Sequence, residues 1–119
     1  MVTEKKLAAT NQGLVAAFYY DKLGRLPTPA EARAVLLEEL GELSAALALG
    51  SEPTDTLKEL ADVLYVCYGY ATANGWNLTR AFQKVHASNM TKEARDTAGK
   101  VRKGAAYVAP DLGDCIWSQ

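Results

Sequence analysis

Histidine is nearly missing from this chain: of 119 residues only His86 is one, and cysteine occurs twice, as Cys67 and Cys115. Neither cysteine stands in a zinc-ligand spacing, and two cysteines so placed do not make a disulfide framework. There is no excess of positive charge either. Lys and Arg total 13, Asp and Glu 14, and the net charge of −1 argues against a nucleic-acid polymer as partner. No apolar run approaches the ~20 residues a membrane span requires. No stretch reads as a signal peptide, so a reducing, cytoplasmic setting is expected. Internal repeats, strand alternation, a glycine-rich phosphate loop and a nucleophile elbow are all absent. That removes the usual backbone cradle for phosphate and the usual serine nucleophile. What remains is an ordinary globular balance, 49% apolar and 23% charged, sized for a single domain over residues 1–119.

What the chain does have is a concentration of acid in apolar surroundings. Glu38-Glu39-Leu40-Gly41-Glu42 is followed, after 16 residues, by Glu59-Leu60-Ala61-Asp62. Glu39 and Glu42 are three apart and share one helix face, and Glu59 and Asp62 repeat the spacing. Glu38 adds a fifth carboxylate. Glu-x-x-Glu alone is common on solvated helix faces. The second segment changes the reading, because Asp62 is the only charged residue from Leu60 to Ala73. A helix apolar nearly all round is a buried one, and the spacing puts Asp62 in the sector of Val66 and Tyr70. Glu59, one turn back, has the wrong sign to be its partner. Buried like charges repel and each is penalised by desolvation. A hard divalent cation with oxygen ligands relieves both.

Punctuation and periodicity divide the chain into four helices, an all-α bundle. The first is expected from about Thr3 to Tyr20, with Leu7, Leu14, Ala17 and Phe18 on its apolar stripe. After Gly24 and Pro27, Thr28 can cap the second helix, with Pro29 first and Glu31 third, a capping box. That helix runs to about Leu49 on a stripe of Leu36, Leu40, Leu43 and Leu47. Gly41 reads as a point of close helix contact. The third helix runs from Thr54 or Asp55 to Ala73 and stops at Asn74-Gly75. Asn77 caps the fourth, Leu78 to about Lys92, whose apolar face is Leu78, Phe82 and Val85. Asn89 and then Lys92 follow on that side, so an amide and an ammonium group should face the carboxylates. His86 reads as a packing residue. Beyond Lys92 the glycines and Pro110 imply irregular structure with at most one short helix, and a tail from about residue 105. Lys100 and Lys103 with Tyr107 could reach a phosphate or be solvated surface. Ile116 and Trp117 suggest a docking tail.

These residues resemble a known signature. Glu38-Glu39-x-x-Glu42 with Glu59-x-x-Asp62, joined by Gly75-Trp76, Ser88-Asn89-Met90-Thr91-Lys92 and Gly99-Lys100-Val101-x-Lys103-Gly104, looks like the all-α nucleoside triphosphate pyrophosphohydrolases. That superfamily takes in MazG-like proteins, dimeric dUTPases, dCTP pyrophosphatases and phosphoribosyl-ATP pyrophosphatase. The later motifs resemble small stand-alone and phage MazG-like proteins. The resemblance implies Mg²⁺-dependent cleavage of a nucleoside triphosphate between its α- and β-phosphates, with Mn²⁺ as a substitute ion. By position Glu39, Glu42, Glu59 and Asp62 would ligate metal. Glu38 would activate water or help hold a second ion. Asn89, Lys92, Lys100, Lys103 and Tyr107 would contact substrate. It also implies a homodimer or homotetramer with sites near the subunit interfaces; the apolar third helix and the Ile116-Trp117 tail are the candidate contacts. Asn11, Phe18, Tyr19 and Trp76 could meet a base or belong to the core.

Other readings share parts of this pattern. Phosphoribosyl-ATP pyrophosphatase uses the same metal chemistry. A di-iron bundle needs Glu-x-x-His, a relation His86 has to no glutamate. The non-enzymatic reading is a helical oligomerisation module with a degenerate acidic site.

Overall fold

Among the described residues, three helices fold back on one another in the first part of the chain. In the computed structural model, residues 9–95 and 99–116 are described, the side chains of residues 94 and 95 excepted. The chain divides into two compact units, residues 1–76 and 77–119. In the first, α1 (Asn11–Leu23) and α2 (Pro29–Leu49) both pack on α3 (Pro53–Ala73).

Each helix end has a local cause. Thr10 caps α1, its hydroxyl accepting from the Gly13 N–H at 3.0 Å. Extended backbone at Thr10 starts the helix there, so within the described residues it begins later than Thr3. Thr3 and Leu7 lie outside those residues. α1 continues past Tyr20 to Leu23, where Gly24 adopts φ 76° and returns its N–H to Tyr20. The expected capping box opens α2: the Glu31 N–H donates to Thr28 Oγ1 at 3.1 Å, and Thr28 N–H donates to Glu31 Oε1 at 2.8 Å. At the other end Gly50 and Ser51 donate to Leu47 and Ala46, a Schellman closure that reverses the chain within three residues. Pro53 then occupies the first position of α3, where its missing N–H costs nothing.

The contact between α1 and α3 depends on a missing side chain. A Cβ on Gly69 would lie 2.9 Å from Tyr19 Oη. Buried Gln12 ties the same pair, its amide donating to Trp76 O at 2.7 Å and to Thr72 Oγ1 at 3.2 Å. Gly41, expected to mark close packing, has nothing within 4 Å of such a Cβ. The close approach is at Gly69.

Among the described residues the buried apolar set is small: Val15, Ala32, Ala46, Val66, Ala71 and Cys115. α3 is not covered all round, as its composition suggested. Val66, Gly69 and Ala71 are buried, while Leu57, Leu60, Leu64 and Tyr65 are exposed. Among the described residues no helix is long and apolar enough to cross a membrane.

The second unit holds α4 (Leu78–Asn89), a two-stranded hairpin of β1 (Glu93–Arg95) and β2 (Val101–Arg102), and a 3₁₀ turn at Gly113–Cys115. Asn77 caps α4 as expected, accepting from the Arg80 N–H at 3.0 Å. The helix stops at Asn89, one turn short of Lys92. The hairpin replaces the irregular structure expected there, pairing Glu93 with Arg102 and Arg95 with Val101. A Cβ at residue 104 would run into the Glu93 side chain, which would have to swing aside. Ser88 Oγ donates to Val108 O at 2.6 Å, and Asp114 pairs with Arg80 and Lys84. Those bonds fold the segment after the hairpin back along α4. Ile116 is exposed, and Trp117 lies outside the described residues.

Candidate active site

The tight turn at Gly50 decides where the acids meet. Glu42 precedes it by eight residues and Glu59 follows Pro53 by six. At ~1.5 Å rise per residue both stand about two turns from the connection, on antiparallel neighbours. The repeated three-residue spacing then sets Glu39 against Glu59 and Asp62, with Glu42 beside Glu39 on its own helix.

Two overlapping triads result. Carboxylate oxygens of Glu38, Glu39 and Glu42 lie within 4.8 Å of one another, and so do those of Glu39, Glu59 and Asp62. Glu39 belongs to both. All five acids singled out in the sequence are therefore brought together. Glu39, Glu59 and Asp62 are half-buried; Glu38 and Glu42 are exposed.

The electrostatics of this cluster are unsatisfied. Glu39 Oε2 and Glu59 Oε2 are buried with no hydrogen-bond partner. Desolvation raises the Glu39 pKa, and a hydrogen bond shared with Glu42 raises it further, with smaller contributions from the charges of Glu42, Asp62 and Glu59. A proton on one of these carboxyl groups relieves the repulsion between them. A divalent cation does the same for several carboxylates at once, and the oxygen-only donor set is the one hard cations prefer. The residues present fit such an ion.

One cation near these acids was missed in the sequence. Lys58 Nζ lies 2.7 Å from Asp62 Oδ2 and 3.9 Å from Glu59 Oε1. It is the opposite-sign partner that Asp62 was argued to lack. Its four-residue spacing from Asp62 was the available signal.

The other expected site residues belong to the second unit. Asn89 and His86 are exposed, as is Phe82, so the side of α4 expected to turn inward is solvent-facing in this chain. Ser88 takes the buried place because it bonds the returning segment. Lys92, Lys100 and Lys103 come together with Val101 and Arg102 around a cavity of about 610 Å³. Lys103 also stands over the Tyr107 ring, its ammonium 5.1 Å from the centroid. In the first unit, Phe18 meets Tyr19 and Tyr65 edge-on, and Tyr70 meets Trp76 in the same way. Asn11 lines a cavity of about 210 Å³ with Leu14, Leu64, Tyr65 and Tyr68 among others.

A protein-family model described as phosphoribosyl-ATP pyrophosphohydrolase matches residues 4–89. Among solved structures the chain is similar to a cyanophage S-2L MazG-like pyrophosphohydrolase, bound to dGDP and three catalytic Mn²⁺ ions per active site. The two share 32% identity with a TM-score of 0.53, over 92% of this chain and 100% of that one. Comparison with curated proteins finds no match.

Proposed function

The chain belongs to the phosphoribosyl-ATP pyrophosphohydrolase family, and from that premise we propose that it cleaves nucleoside triphosphates between the α- and β-phosphates. The products would be a nucleoside monophosphate and pyrophosphate. At the general level it is a pyrophosphohydrolase of the MazG-like all-α type, a hydrolase of phosphoric anhydrides. The observation that carries the finer reading is the pair of buried, unpartnered oxygens on Glu39 and Glu59, converging with Asp62. A degenerate acidic module has no reason to keep such atoms out of water.

Glu39, Glu42, Glu59 and Asp62 are the proposed ligands for Mg²⁺, with Mn²⁺ as a working substitute. The sharing of Glu39 between two triads suits more than one ion. Bound there, a divalent ion would offset the phosphate charge and make water more acidic. Glu38 is exposed beside Glu39 and is the proposed acceptor of the proton from the attacking water. The phosphates themselves would be met by Lys92, Lys100 and Lys103, whose ammonium groups suit the charge of a pyrophosphate leaving group. Tyr107, whose ring lies under Lys103, is a further proposed contact to the phosphates. Asn89, exposed at the end of α4, completes the proposed substrate contacts.

The nucleotide in the similar cyanophage structure is dGDP, which favours a deoxynucleoside triphosphate, and dGTP is the first to test. The family model favours a second reading, phosphoribosyl-ATP as substrate. Relative rates on dGTP, the other dNTPs, NTPs and phosphoribosyl-ATP separate the two. Preference for phosphoribosyl-ATP over every dNTP would overturn the nucleotide-pool reading.

The same reading includes self-association, a cytoplasmic setting and a single domain over residues 1–119. Leu57, Leu60 and Leu64 form an exposed stripe on α3. Covering such a side chain is worth about 1.5–3 kcal/mol. A second copy of this chain, as homodimer or homotetramer, is the proposed cover. Light scattering that finds a monomer at micromolar concentration would contradict it.

A further inference from the structure

We propose that Lys58 is a built-in counter-ion that makes metal loading depend on substrate. The inference rests on the carboxylate cluster being the metal site. Lys58 pairs with two of the three acids in the half-buried triad, at 2.7 Å from Asp62 and 3.9 Å from Glu59. Its place on the helix explains the reach. It is adjacent to Glu59 and one turn before Asp62, so its ammonium arrives over the pair along the helix surface. The buried Glu39 and Glu59 oxygens stay unpartnered all the same. Lys58 therefore offsets charge without filling the donor set.

Two consequences follow. With the ammonium on Asp62, a divalent ion entering the triad meets a positive charge a few ångströms away and competes for an oxygen already bonded. A metal ion alone should bind weakly. Lys58 is 70% exposed along its side chain, so its head can leave Asp62 without being desolvated. A nucleotide phosphate beside the cluster offers the ammonium a second anionic partner. Substrate would then release Asp62 to the metal and hold Lys58 itself. Lys58 becomes a positioning residue that couples the two binding events, so that metal alone fills the site at higher concentration than metal with substrate.

The test is isothermal titration of the full chain with Mn²⁺, with and without α,β-imido-dGTP. The wild type should bind Mn²⁺ more tightly when the analogue is present. Lys58→Gln should bind Mn²⁺ alone on the order of tenfold more tightly than wild type, the scale of one elementary charge near the ion in a half-exposed site. The gain from the analogue should shrink in that variant, and Lys58→Arg should keep the wild-type pattern. If Lys58→Gln binds Mn²⁺ alone no more tightly than wild type, the counter-ion role is wrong while the site stands. If wild type binds no Mn²⁺ in either condition, the carboxylate site itself fails and the inference with it.

Discussion

Replacing Glu39 by Gln should change two stabilities in opposite directions. Glu39 belongs to both triads, so its loss removes a ligand from each. It is also the acid whose buried Oε2 lacks a partner and whose ionised form is opposed by burial and by its acidic neighbours. A neutral amide there relieves the repulsion, and the metal-free Glu39→Gln protein should melt above metal-free wild type. Divalent ion should act the other way. An ion that binds only the folded state at a hundred times its Kd stabilises it by about 2.7 kcal/mol. For a chain of this length that corresponds to a rise of about 10 °C in Tm. Wild type should show a rise of that order in saturating Mn²⁺, and Glu39→Gln little or none. Glu38→Gln is the control: it leaves Glu39, Glu59 and Asp62 intact and should keep most of the shift while losing turnover. Differential scanning calorimetry of the three proteins, with EDTA and with Mn²⁺, measures both effects. An undiminished Mn²⁺ shift in Glu39→Gln would refute the assignment, whatever happened to the metal-free protein.

Other outcomes follow from the packing. Gly69→Val pushes a branched side chain into Tyr19 and should destabilise the fold by about 1–3 kcal/mol in urea unfolding; an unchanged midpoint would remove the close α1–α3 contact from the account. Ser88→Ala removes the buried donor to Val108 and should cost about 1 kcal/mol by the same measurement. Glu31 is held at a pKa of about 2 by its hydrogen bond to Arg25 and the Thr28 N–H. A depressed carboxylate pKa stabilises the fold above the unfolded value, and that contribution disappears as pH falls toward 2. Wild-type Tm should therefore drop more steeply than that of Glu31→Gln between pH 5 and 2, and parallel slopes would contradict it. Leu64→Glu puts charge on the exposed stripe of α3 and should reduce the mass seen by light scattering to that of one chain.

The helices and the acids were legible because they depend on short-range rules. Thr28, Pro29 and Glu31 announce a capping box, Gly50 a stop, and two three-residue acid spacings either side of a short turn put the acids at matching heights on neighbouring helices. Legibility ended where a tertiary partner decides. Gly41 and Gly69 look alike in sequence, yet only Gly69 has a tyrosine against it. Asn89 follows the apolar side of α4, but Ser88 is the buried residue because Val108 returns to accept its hydroxyl. The hairpin at 93–102 has strands of three and two residues, too short for alternation to register. Lys58 was visible by its four-residue spacing from Asp62, and was passed over because only Glu59, three residues back, was weighed as its partner.

The most direct test of the central claim is ³¹P NMR of dGTP incubated with the protein and Mg²⁺. Cleavage between the α- and β-phosphates predicts dGMP and pyrophosphate growing in equal amounts, with neither orthophosphate nor dGDP as a first product. First appearance of orthophosphate with dGDP would place the cut between the β- and γ-phosphates and contradict the account.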